Sequence, residues 1–158
     1  MKNLLKIKKG FTLIELLIVV AIIGVLATLL MANFIGIRQR ARDAQRKADI
    51  RQLQSALEFY RSDIGNYPAT ISNCTCGANA CLQDPTCKTT YMQKIPTDSL
   101  GASYYNSGNY FYYTNGSGTI YTLIACLENT ADTQGTATKP SGIGAPSGCV
   151  NYYVVINP

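Results

Sequence analysis

The fold of this chain is decided by the stretch Phe11–Ala32, which reads FTLIELLIVVAIIGVLATLLMA. Glu15 is the only charged residue in it, and Thr12 and Thr28 carry its only hydroxyl groups. As a helix, the stretch would be about 33 Å long, which is close to the thickness of the hydrocarbon core of a bilayer. It is too long for the apolar region of a secretory signal peptide. We therefore predict a single membrane-spanning helix.

Helical signals continue without a proline from this stretch as far as Asn66. Apolar residues recur at steps of three and four, which predicts an amphipathic helix with arginines, glutamines and aspartates on its other faces. Asp43 and Lys47 have the spacing of a favourable i,i+4 ion pair. Gly65, followed closely by Pro68, predicts the end of the helix. The predicted apolar positions are Ile37, Ala41, Ala44, Ala48, Ile50, Leu53, Leu57 and Tyr60.

The chain beyond Pro68 has the character of a small β-rich domain. Tyr110–Tyr113 and Thr119–Leu127, joined by a turn, predict a hairpin with one face on the helix, and Cys149–Pro158 predicts a further strand. The segment Tyr91–Gly101 allows a short helical turn before its proline. The fold class is therefore α+β: one long N-terminal helix, transmembrane in its first half, packs by its second half on a small antiparallel sheet of three or four strands.

Six cysteines all follow the apolar stretch, and they predict disulfides in an oxidising compartment. A zinc site is the competing interpretation, but the chain has no histidine and the spacing lacks a C-x2-C pair. Cys126 and Cys149 border strands on either side of one loop, so we predict that they pair, and that the other four pair among themselves. The candidates are Cys74, Cys76, Cys81, Cys87, Cys126 and Cys149.

The net charge of +5 is concentrated in the lysine-rich first ten residues and in the cluster Arg38–Arg51. From Ser62 onward three lysines face five acids, so the globular part offers no basic face to nucleic acid. We interpret the arginine cluster as a solvated helix face or as a partner for acids on neighbouring subunits, with DNA or anionic lipid as the alternative. Without histidine or clustered carboxylates, no catalytic residue is predicted and the chain is not expected to be an enzyme.

The sequence KKGFTLIELLIVVAIIGVLA resembles the type III signal of type IV pilins and type II secretion pseudopilins. This resemblance implies that a membrane prepilin peptidase cuts after Gly10 and methylates the new amine of Phe11. It also implies that Glu15 pairs with that amine on a neighbouring subunit of a filament. Four regions follow: a cleaved basic leader (residues 1–10), a transmembrane and assembly helix (11–37), an amphipathic helix (38–66) and a disulfide-containing globular part (67–158). Ala32 stands where family members often carry a proline.

The C-terminal part is similar in places to the major pseudopilin of type II secretion, in which a P-x-D-P-x-G element precedes a short sheet. Here Ser99 replaces the second proline. In that family the following loop binds calcium, which makes Glu128, Asn129 and Asp132 weak calcium candidates. Two carboxylates in a loop rich in glycine and threonine are ordinary, so we expect a solvated loop and no cofactor.

These observations predict a prepilin, the structural subunit of a type IV pilus-like filament. The alternatives are a major pseudopilin of a type II secretion system and a single-span membrane-anchored binding domain. The cysteine-rich loop is not part of the pseudopilin pattern and favours a pilin displayed on the cell surface. The expected partners are further copies of the chain in a helical filament, the prepilin peptidase, an inner-membrane assembly platform and, before assembly, the membrane. The precursor is expected to cross the cytoplasmic membrane once with its N-terminus inside, and the filament to be periplasmic or extracellular.

Overall fold

The computed structural model describes residues 10–71, 81–140, 144 and 146–157. Its main element is helix α1, Leu13–Ile64, of 52 residues. The helix ends at Gly65, whose φ of 93° few other residues adopt and whose N–H donates to the carbonyl of Arg61 at 2.8 Å. The long helix predicted between Phe11 and Asn66 is confirmed, with each end two residues inside the predicted limit.

The chain divides into two compact units between Arg38 and Gln39. In the first unit the large apolar side chains of the described residues are exposed, with Leu13 at 83% and Met31 at 75%. The segment Leu13–Met31 has a mean hydropathy of 2.9 and is, by length and composition, able to cross a membrane. Its apolar surface has no partner among the described residues of the unit, so it is available to lipid or to other chains.

The second unit contains an antiparallel sheet of three strands and a separate two-stranded hairpin. The hairpin pairs β1 (Leu82–Gln83) with β2 (Thr90–Met92). In the larger sheet β4 (Tyr121–Leu127) lies between β3 (Phe111–Thr114) and β5 (Asn151–Ile156). This arrangement of one long helix with small antiparallel sheets is the predicted α+β class.

The hairpin β1–β2 was not predicted, and the helical turn expected before Pro96 is wrong, because Thr90–Met92 is a strand. A first 3-10 turn lies further along, at Gly101–Ser103. The turn that follows, Tyr105–Gly108, is not a regular helix, because Asn106 and Ser107 have positive φ values. The hairpin β3–β4 was predicted to have one face on the helix, with buried and exposed residues alternating, and this alternation is wrong for β4. Consecutive residues from Leu123 to Leu127 are buried, so both faces of this central strand are covered.

The core of the second unit forms between α1 and the larger sheet. Ile50, Leu53 and Leu57 are completely buried on the helix, as predicted, and belong to one cluster with the side chains of β4. The predicted apolar face is wrong nearer the start of this unit, where Ala41, Ala44 and Ala48 are exposed. The residues buried there are polar, namely Asp43, Arg46 and Asp49.

Candidate functional site

The N-terminal segment places Gly10 and Phe11 just before α1, outside the helix. Phe11 is 89% exposed, and a side chain at Gly10 would meet no atom within 4 Å. Exposed backbone outside regular structure is the kind of segment that a peptidase can bind and cut. The geometry of the Gly10–Phe11 bond therefore suits the predicted processing site.

Thr12 and Glu15 cap the start of the helix reciprocally. The Thr12 hydroxyl accepts the N–H of Glu15 at 3.3 Å, and Glu15 Oε2 accepts both the N–H and the hydroxyl of Thr12, each at 2.9 Å. This is the capping-box arrangement, which occupies donors that the first turn leaves free. Among the described residues no donor contacts Oε1 of Glu15, so one carboxylate oxygen remains available to a second partner.

The disulfide between Cys126 and Cys149 is the pairing that the sequence predicted. Their Cα atoms are 5.6 Å apart, within the normal range for a disulfide, and the bond joins the end of β4 to the residues just before β5. Cys81 and Cys87 are also disulfide-bonded, so the zinc interpretation is wrong for the four described cysteines. Cys74 and Cys76 lie outside the described residues.

The buried charge cluster of the second unit centres on Arg46. Its guanidinium forms a two-point salt bridge with Asp98, in which Nη2 lies 3.2 Å from Oδ1, and its Nη1 lies 2.7 Å from Oδ1 of Asp43. The same Nη1 forms an ion pair with Glu128 at 2.8 Å, and the guanidinium carbon lies 4.5 Å from the ring centre of Tyr104. The cluster therefore joins the helix to two distant segments of the chain.

Two further cations of α1 reach the loop after β4. Arg42 binds both carboxylate oxygens of Glu128, at 2.7 and 2.5 Å, and Lys47 lies 2.6 Å from Oδ2 of Asp132. The predicted Asp43–Lys47 pair is thus wrong, since each residue has another partner. The prediction that the arginine cluster is solvated or pairs between subunits is wrong for Arg42 and Arg46, which bind acids of their own chain.

The pKa values follow these contacts. The hydrogen bonds from Arg42 lower the pKa of Glu128, and the hydrogen bond from Lys47 lowers the pKa of Asp132. Burial alone would lower the pKa of Arg46, but its hydrogen bonds to Asp98 and Asp43 outweigh burial and raise it. Burial raises the pKa of Tyr112 to about 12. Glu128, Asp132 and Arg46 therefore remain charged at neutral pH.

Two known protein families match this chain, one at the N-terminal helix and one over most of the rest. Residues 5–31 match the prokaryotic N-terminal methylation motif, and residues 33–138 match type II secretion system (T2SS), protein G. The second match covers more than half of the chain. The chain belongs to the protein G family of type II secretion systems.

Individual members of the protein G family show the same relationship. The chain is 33% identical to the type II secretion system core protein G of Pectobacterium carotovorum subsp. carotovorum in an alignment of 105 residues, which covers 61% of this chain and 65% of that protein. It is 33% identical to that of Escherichia coli (strain K12), over 70% of its length, and 32% identical to that of Vibrio cholerae, over 73%. Among solved structures, none matches the chain significantly.

Calcium, which the similarity to the major pseudopilin implies, does not fit the loop of this protein G family member. Glu128 is bound by Arg42 and Arg46, and Asp132 by Lys47. The side-chain oxygen of Asn129 accepts the N–H of Ala131 at 3.1 Å. The side-chain oxygens of all three candidates thus accept hydrogen bonds or form ion pairs with groups of the protein. In addition, the described residues contain no group of three or more acids, cysteines or histidines able to hold a metal.

The residues that sequence reasoning missed are polar and buried. Asp43 and Arg46 looked like members of a solvated helix face, and Asp98 was part of the element that resembles P-x-D-P-x-G. Asn151 carried no signal, although it is only 3% exposed and contacts the loop after β4. Of these residues, only Arg46 and Asp43 could have been paired from the sequence, since opposite charges three residues apart on a helix can form an ion pair.

Proposed function

We propose that this protein is a structural subunit of a type II secretion pseudopilus. The precursor is cut after Gly10, methylated on the amine of Phe11 and polymerised through Phe11–Ile37. The observation that carries the proposal is the exposed apolar surface of Leu13–Met31. It begins at a capped helix start, where Oε1 of Glu15 has no donor among the described residues. Membership in the protein G family supports it.

Burial of charge explains how Glu15 would act in assembly. Cleavage creates a positive amine at Phe11, about 6 Å along the helix from Glu15. In an array of parallel helices, an axial step places this amine beside the carboxylate of a neighbouring subunit. Leaving either charge unpaired among apolar side chains would cost several kcal/mol, so pairing selects the correct register. The capping bonds use Oε2, which leaves Oε1 for the neighbour.

The proposed location follows from the charges and the cysteines. The lysine-rich leader stays in the cytoplasm, the span crosses the inner membrane once, and the disulfide-containing unit lies in the periplasm, where disulfides form. The proposed partners are the prepilin peptidase, an inner-membrane assembly platform and further copies of the chain. The proposal assigns the protein no catalytic role.

Processing is tested by the intact mass and N-terminal sequence of protein recovered from membrane and filament fractions. We expect a chain that begins at Phe11 and carries one methyl group. Gly10→Leu should abolish cleavage, whereas Gly24→Leu should leave it unchanged, since a side chain at either glycine meets open space. A native chain that begins at Met1 in every fraction would contradict the proposal and favour the membrane-anchored binding domain.

Assembly is tested separately, by measuring the share of protein in sheared filaments. Glu15→Gln should be cut normally but remain in the membrane, because the neutral amide cannot compensate the amine of Phe11. Thr28→Val is the matched control, since Thr28 is a polar side chain within Leu13–Met31 and donates to the carbonyl of Val25. Equal filament yields from Glu15→Gln and the control would exclude an assembly role for Glu15.

A type IV pilus is the second candidate, favoured by the disulfides of the globular unit. The two functions differ in what is lost when the chain is deleted. A pseudopilus subunit is required for secretion, so exported proteins should accumulate in the periplasm of the deletion strain. Loss of surface fibres with normal secretion would instead identify a pilus.

A further inference from the structure

We propose that the loop Glu128–Gln134 is held closed by the chain's own donors in place of a metal ion. The amide of Asn151 occupies the centre of the loop, and cations of helix α1 neutralise its carboxylates. This inference goes beyond the proposed function, because it concerns what the globular unit requires in order to fold.

The centre of the loop is occupied by a side-chain amide. Nδ2 of Asn151 donates to the carbonyl of Asn129 at 3.0 Å and to the carbonyl of Asp132 at 3.2 Å. A calcium ion binds such carbonyl oxygens at about 2.3–2.6 Å, so the ion and the amide cannot occupy the same place. A side chain at Gly135 would overlap the amide of Asn151, which shows how closely the loop packs around it.

The charge of the loop is balanced without a metal. Its two carboxylates, Glu128 and Asp132, are each bound by a cation of α1, namely Arg42 and Lys47. Arg46 adds a third cation, which it shares with the buried acids of the cluster. With its two negative charges already matched by two positive ones, the loop offers no excess charge to attract a divalent cation.

The loop is also fastened at its start and just past its end. At the start, Asp43 accepts the N–H groups of Glu128 and Asn129, at 2.9 and 2.8 Å. Just past the end, Thr136 and Tyr152 of β5 exchange backbone hydrogen bonds at 2.8 and 2.7 Å. The disulfide Cys126–Cys149 closes the base of the whole connection between β4 and β5. Contacts with helix α1, with strand β5 and through the disulfide therefore hold the loop in one conformation, as a bound ion would otherwise do. The globular unit should therefore have the same stability with and without calcium.

The test is thermal unfolding of the full chain in detergent, followed by circular dichroism in the presence of calcium or of the chelator EGTA. We expect the same midpoint in both conditions and no heat when calcium is titrated into the protein in a calorimeter. A midpoint that falls in EGTA and is restored by calcium but not by magnesium would overturn the proposal.

The role of Asn151 is tested by Asn151→Asp in the chelator. The carboxylate has the same shape but cannot donate, and it faces two carbonyl oxygens, so the midpoint should fall by several degrees. Asn157→Asp is the matched control, because the amide of Asn157 donates to a single carbonyl, that of Thr119, away from the loop. Equal midpoints for the two variants would show that Asn151 does not hold the loop.

Discussion

Arg46 and Asp98 form a two-point salt bridge between residues 52 positions apart, and each side chain is only 1% exposed. The pair fastens the helix to the segment that precedes the first 3-10 turn. Asp98 also accepts the N–H of Leu100 at 2.8 Å, so both partners are held by further bonds. A buried charge pair of this kind is sensitive to the loss of either partner, because the remaining charge is left without compensation.

Replacing Arg46 should therefore destabilise the globular unit strongly. Arg46→Met keeps an unbranched apolar stem but leaves Asp43 and Asp98 without their cation, and we expect a loss of about 3–5 kcal/mol. Arg46→Lys should also be destabilising, since an ammonium cannot make the two-point bridge. Arg51→Met is the control, because Arg51 is exposed on the same helix. Urea unfolding in detergent measures all three, and a loss for Arg46→Met no larger than that of the control would contradict the assigned role.

Stability should depend on pH through Glu128. The hydrogen bonds from Arg42 lower the pKa of Glu128 in the folded state. Its ion pairs therefore stabilise the fold fully at pH values above the pKa that Glu128 has in the unfolded chain. This contribution is lost as the pH falls through the lower, folded-state pKa. We expect the thermal midpoint to fall between about pH 5 and pH 3, and the slope to be shallower in Glu128→Gln. Thr133→Ala, which changes an exposed and non-titrating residue of the same loop, should keep the native slope; equal slopes for Glu128→Gln and the native chain would contradict this assignment.

The turn between β3 and β4 depends on Gly118. Its φ is +64°, and a side chain there would lie 2.9 Å from the carbonyl of Tyr67. Gly118→Ala should therefore cost at least about 1 kcal/mol of folding free energy. Gly116→Ala is the matched control, since it lies in the same turn with open space for a side chain. Chemical denaturation of the two variants checks this, and equal midpoints would be incompatible with strain at Gly118.

Removal of the disulfide Cys126–Cys149 should lower the stability of the sheet. The two residues are 23 positions apart, and replacing both with serine should cost about 3 kcal/mol, mainly by freeing the unfolded chain. Unfolding of the double variant measures the loss. Peptide mapping of the non-reduced native protein provides the direct check, and a linkage of Cys126 to a cysteine upstream would refute the pairing.

The elements that could be predicted from the sequence are those with a local pattern. The long helix has an apolar run, an unbroken periodicity and the terminator Gly65, and the hairpin β3–β4 has aromatic strands on either side of a turn. The strand pair β1–β2 carried no such pattern, because Leu82–Gln83 is too short for any alternation to appear. Burial on both faces of β4 could not be predicted either, since it depends on what covers the sheet.

The buried charge cluster around Arg46 could not be predicted from the sequence for a related reason. Whether Arg46 is solvated or buried depends on Asp98, and nothing near Arg46 in the sequence indicates that partner. The processing and assembly residues are the opposite case, since Gly10, Phe11 and Glu15 form one contiguous motif. The motif indicated the superfamily of filament subunits, while the choice of the pilus over the secretion system rested on the cysteines. The family match lies with the secretion system, so the preferred pilus is not confirmed.

The disulfide Cys126–Cys149, which links the two ends of the connection between β4 and β5, makes this connection suitable for a label in imaging. Because the disulfide fixes the two ends of the connection between β4 and β5, chain inserted within it does not separate the strands. Ala137, Thr138 and Lys139 are exposed within this connection. An epitope or a dye-binding peptide placed between Thr138 and Lys139 would leave the sheet and helix α1 unchanged. Labelled subunits of this design could be followed in living cells as they leave the membrane.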